Sequence, residues 1–150
     1  MQFKLFEMLR RMNLLLFSNE KSKLAIIKEI LSLDIRLFYI DFDLLLTGYI
    51  KSDVIKPRAN IDLYIPEDVK ELASSIASIS SKINDDIIII DSFDTMNMLY
   101  NDHLLSIYLS VLLANAERSK IIVFSRNKRW FIEHISDLII DIDNSEIIKD

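Results

Sequence analysis

Four aspartates follow closely on apolar runs: Asp41 and Asp43 in FYIDFD, and Asp91 and Asp94 in IIIIDSFD. Carboxylates gathered at one edge of a sheet can hold Mg²⁺ and orient water for a hydrolytic step. Lys21-Ser22, in FSNEKSKLA, pairs a cation with a hydroxyl, the types that hold phosphate and its metal in a phosphate loop. Arg126, Lys128, Arg129 and Trp130 form the basic-aromatic cluster of the chain. Cations with a stackable ring suit a nucleic-acid strand, and Lys51, Lys56, Arg58 and Tyr49 could extend that surface. Each group also has a plainer reading. A strand-end Asp caps the next turn, Lys21 and Lys23 are solvated first-turn residues, and Trp130 tucks under its own loop. Nucleophilic chemistry has little support, with no Cys, no G-x-S-x-G, and His103 and His134 far apart.

These residues need elements to place them, and the pivotal one is Ile87–Ile90. Four consecutive β-branched residues predict a strand buried on both faces, as in a parallel sheet covered by helices. Its carboxyl end carries Asp91, where open α/β sheets bind ligands. Further strands are predicted near 14–17, 35–41, 60–65, 121–124 and 138–142, with a short strand or tail at 145–150. Helices are predicted over 3–12, 24–33, 69–83, 104–118 and 130–135, the one at 104–118 apolar nearly all round. SNEKSK (18–23) and 94–103 read as polar loops, and Lys51 to Arg58 as the most flexible one. Gly48 should end or loosen a short helix after Leu44. Strands alternate with helices throughout, which predicts one domain, 1–150, of three-layer α/β/α class with a mainly parallel sheet.

The chain is 51% hydrophobic and 27% charged, with a mean hydropathy of +0.23 and a net charge of −5. That is a globular composition with no global field to attract a phosphate backbone. No apolar run nears the ~20 residues of a membrane span. The amino terminus lacks the apolar core of a signal peptide, so a cytoplasmic location and no membrane partner are expected. Only one residue, Gly48, is a glycine. Loops that wrap phosphate with backbone N–H groups need more.

In order and spacing these motifs resemble the RecA-like ATPase core, in its archaeal recombinase and circadian-clock-ATPase branch, from about residue 13 to 142. YIDFD resembles the strand whose last acid polarises the attacking water, which puts Asp43 at that position. IIIIDS resembles Walker B and puts Asp91 at the Mg²⁺ position. IIVFSRN resembles the strand whose polar end senses the γ-phosphate, and HISDLIIDID the closing strand. Lys21-Ser22 resembles the Lys-Thr of the phosphate loop. There the pattern departs: both glycines are missing, the loop is about three residues short, and Glu20 precedes the Lys. The resemblance therefore implies a P-loop fold without a working P-loop, and neither ATP nor Mg²⁺ is expected as a cofactor.

A non-catalytic accessory or scaffold protein in DNA repair or recombination follows as the first expectation. The competing readings are an ATPase with an aberrant P-loop or an acid-dependent Mg²⁺ phosphohydrolase, and a nucleic-acid-binding module. The expected partner is a protein, either a second copy or a larger RecA-like chain. Phe3 and Phe6, on an amino-terminal helix with basic neighbours, are the candidate interface residues.

Overall fold

The computed structural model of this protein describes residues 5–56 and 60–150. Phe3 and Arg58 lie outside them. In chain order the elements are α1 (Leu5–Met8), β1 (Met12–Leu16), α2 (Glu20–Leu31), β2 (Leu37–Asp41), α3 (Leu45–Lys51), β3 (Ile61–Tyr64) and α4 (Val69–Lys82). There follow β4 (Ile87–Asp91), α5 (Phe93–Leu99), α6 (Asp102–Asn115), β5 (Lys120–Ser125), α7 (Trp130–Ile135), β6 (Leu138–Asp141) and β7 (Glu146–Lys149).

The strands form one sheet in the order β3-β2-β4-β5-β1-β6-β7. Every pairing is parallel except β6 with β7. β4 lies inside the sheet between β2 and β5, and all five of its residues are buried. Alternate side chains feed two cores. Ile88 and Ile90, with Phe38 and Ile40, pack under α4, α5, α6 and α7. Ile87 and Ile89, with Leu37 and Tyr39, pack under α1, α2 and α3. A strand covered on both sides must be apolar at every position, which is why four isoleucines run together. Burying each contributes about 1.5–3 kcal/mol.

The structure corrects several element expectations. SNEKSK is only partly a loop: Asn19 accepts a hydrogen bond from the Lys21 amide at 2.9 Å and starts α2 at Glu20. The stretch 94–103 is largely helical. Phe93 and Met96 bury the inner side of α5, and Asn101 caps α6 through the Leu104 amide. The helix expected over 3–12 is four residues within the described part. Asn13 turns the chain into β1 by accepting from the Arg10 amide and donating to the Arg10 carbonyl. Gly48 sits inside α3 and does not end it. Finally, α6 is buried on one side only, leaving Ile107 and Val111 exposed.

Candidate functional site

The carboxyl edge of β1, β2, β4 and β5 collects the residues singled out above. Its centre is a side chain that the sequence reading placed in solvent. Lys23, in the second turn of α2, is fully buried. Its Nζ lies 2.9 Å from Asp91 Oδ1, 3.3 Å from Glu20 Oε2 and 3.8 Å from Asp43 Oδ2, and 4.6 Å from the Phe17 ring centroid. The Tyr39 hydroxyl donates to the other Asp91 oxygen at 2.6 Å. Both oxygens of Asp91 are thus engaged by the chain itself.

The electrostatics follow from the crowding. Burial disfavours the charged ammonium of Lys23, but Asp91, Glu20 and Asp43 outweigh it and hold its pKa above the usual lysine value. Burial pushes Asp91 up from its usual value, against the pull of Lys23 and the Tyr39 hydrogen bond. Two short contacts to its two oxygens favour the carboxylate form, so we describe the pair as ionised. Burial, then the neighbouring Asp91, push the Tyr39 phenol well above its usual range, so it remains a donor.

Asp43 meets Asp91 and Glu20 at Lys23, whereas Asp41 and Asp94 turn to other partners. Asp41 accepts from the Thr47 amide at 2.9 Å and its hydroxyl at 2.8 Å. It thereby caps α3, whose own N-cap residue, Leu44, cannot. The second Asp41 oxygen is buried without a hydrogen-bond partner, and burial raises this carboxyl above its usual pKa despite Thr47. Asp43 accepts from the hydroxyls of Thr95 and, at 3.3 Å, Ser92. Asp94 clasps the turn after β5, taking the Arg126 amide at 2.6 Å and the Asn127 side chain at 3.3 Å. Among the described residues no three acidic or histidine side chains are grouped to hold a metal ion.

The loop after β1 has its own anion. Asp143, from the turn between β6 and β7, accepts from the amide and the hydroxyl of Ser18, each at 2.6 Å, and from the Asn19 amide at 3.4 Å. Partial burial acts to raise its pKa, but these bonds and the Ser22 hydroxyl bring it below the usual value. Lys21 is exposed on the first turn of α2.

The basic cluster is divided. Arg126 turns back to the β1–α2 loop, where it pairs with Glu20, donates to the Ser18 carbonyl at 2.9 Å and lies 4.7 Å from the Phe17 centroid. Lys128 lines a cavity with Arg126 there and also, with Arg129 and Trp130, a groove of about 670 Å³ beside α5 and α6. Phe6 is about one-third exposed, with Lys120 Nζ 5.5 Å from its ring centroid, whereas its neighbours Leu5 and Leu9 belong to the core.

Lys23 was missed although a signal existed. It shares a helical stripe with Ile26, Ile27 and Ile30, all buried, and a lysine on that stripe must point inward. Asp143 had no local signal, because it is brought to Ser18 from more than a hundred residues away. No protein-family model matches this chain, and a search of curated proteins finds no match.

Proposed function

We propose that this chain is a RecA-like core that no longer works through nucleotide and acts as an accessory or scaffold protein. The resemblance implies DNA repair or recombination as its setting. One observation supports the reading: the groups that the resemblance assigns to phosphate and metal are engaged by the chain's own side chains. Lys23 and Tyr39 occupy Asp91, and Asp143 occupies the amides of the loop after β1. A phosphate approaching that loop would meet Asp143 and Glu20, and a metal ion at Asp91 would have to displace a buried ammonium.

The enzyme reading has less support, since Lys23 offsets the charge of both Asp91 and Asp43, and Asp41 and Asp94 are held by other partners. The nucleic-acid reading has less support, because Arg126 is paired with Glu20, and the cavity it lines with Lys128 is also lined by Asp141, Asp143 and Glu146.

Calorimetry with ATP and Mg²⁺ tests the proposal. No binding at sub-millimolar concentration and no hydrolysis are expected. Micromolar binding that disappears in Lys21→Ala would overturn it. The scaffold half is tested by light scattering on a Phe3→Ala/Phe6→Ala variant. It should keep its fold and shift to a smaller species or lose its protein partner. A monomeric wild type that holds no partner sinks the interface.

A further inference from the structure

The groove beside α5 and α6 has features that the scaffold reading leaves unused. Its apolar lining includes Phe93, Leu105 and Phe131. Its rim carries Lys128, Arg129 and His103. No carboxylate lines it among the described residues, although the chain as a whole has a net charge of −5. His103 stands in the first turn of α6, a fourteen-residue helix. Trp130 is 77% exposed at the rim, and its ring stacks on His134 with centroids 5.6 Å apart and planes 13° from parallel. The imidazole supports one face of the indole, and an exposed indole is a surface on which a planar ring can stack.

Position is fixed as well as composition. Asp94 holds the turn that carries Lys128 and Arg129 through the Arg126 amide and the Asn127 side chain. Trp130 and Phe131 open α7, whose Ile132 is fully buried in the core. The rim is therefore tied to the sheet at both ends. A volume of about 670 Å³ is within the range of small-molecule sites, which are mostly apolar with a few convergent polar groups.

We propose that this groove binds a compact amphipathic anion: a planar ring system bearing a single carboxylate or phosphate group. The ring would lie on Phe93, Leu105 and the indole of Trp130, and the anion would face Lys128, Arg129 and His103. A nucleic-acid strand fits less well. It needs a basic track longer than one groove, and the next cation along the chain, Arg126, is committed to Glu20 and Ser18.

Calorimetry with 1-naphthyl phosphate and 1-naphthoate tests this and separates the two anion types. At least one should bind with a Kd of about 0.1–1 mM. The chain has one tryptophan, so its single indole N–H resonance should shift during the titration. Lys128→Gln should weaken binding about tenfold, a loss typical of a charged partner, and Trp130→Leu should weaken it as well, both with unchanged circular dichroism. Lys21→Ala should have no effect, which keeps this site distinct from any nucleotide binding at the β1–α2 loop. Four results would each overturn the idea. They are equal affinity for neutral 1-naphthol, equal affinity for inorganic phosphate alone, no binding of either aryl anion at 1 mM, and tighter binding of a twenty-nucleotide oligo-dT that Lys128→Gln abolishes.

Discussion

Lys23 and Asp91 form a fully buried charge pair 2.9 Å apart. An ammonium taken from water costs several kcal/mol, and Asp91 with Glu20 and Asp43 offsets that cost. Lys23→Met leaves Asp91 buried with only Tyr39, so a loss of about 3–5 kcal/mol is expected by urea denaturation. Adding Asp91→Asn should restore part of it, because the uncompensated charge is then gone. Two other carboxylates should respond to pH in opposite senses. Asp41 is raised above 3.8 in the fold. Its proton is held more tightly folded than unfolded, so its contribution is present below pH 3.8 and is lost as pH rises through the folded value. Asp143 is lowered below 3.8. Its contribution is present above that value and is lost as pH falls through the folded one. Relative to wild type, Asp41→Asn should therefore gain stability on going from pH 3 to pH 7, and Asp143→Asn should lose it. Denaturation midpoints at both pH values check the two signs.

At the scale of elements, α3 is where local sequence and local structure disagree most. Its N-cap residue, Leu44, has φ 61 and no side-chain cap, and it is 52% exposed. A leucine in the left-handed region is strained and here gains little from burial. Gly48 adds backbone entropy in the middle of the helix, yet a Cβ built there meets nothing within 4 Å. Leu44→Gly and Gly48→Ala should each raise stability by about 0.5–1 kcal/mol. The Gly48 amide donates to the Leu44 carbonyl at 3.0 Å, so the two sites are coupled and the double variant should depart from the sum. A decrease in the melting temperature of Gly48→Ala would mean that α3 needs its looseness. The opposite case is α4, where Asp68 accepts from the Glu71 amide and Glu71 accepts from the Glu67 amide. Cap, helix and the buried stripe of Leu72, Ile76 and Ile79 agree there, and α4 matches its sequence expectation closely.

For the whole molecule, β1 is the strand on which sequence-distant parts meet. It pairs with β5 and β6, both more than a hundred residues away. β6 is largely buried, whereas all four residues of β7 are exposed. Truncation after Ser145 should therefore cost only about 1–3 kcal/mol and lower the melting temperature by a few degrees. It also removes the Arg10–Asp150 pair, which is exposed and worth little. Truncation after Ser136 removes β6 as well, opens β1 to solvent and takes Asp143 from Ser18. It should abolish the cooperative thermal transition. A cooperative melt in that shorter chain would mean that the sheet stands without β6.

Within the same molecule, the hydrophobic pattern by itself determined the layers. The isoleucine run at 87–90 and the short apolar segments near β1, β5 and β6, alternating with helical stripes, fit a covered parallel sheet. It also determined that Asp41, Asp43 and Asp91 would fall together at one edge, because each follows an apolar strand core. What those acids do there was decided by tertiary structure. Whether Asp91 faces a metal ion or an ammonium depends on the direction Lys23 takes from α2, and whether Ser18 and Asn19 face phosphate or Asp143 depends on where the β6–β7 turn lands. The same holds for Arg126, which left its neighbours for Glu20. Apolar burial is short-ranged in pattern and legible along the chain, while the pairing of charges is settled only when distant elements are packed against one another.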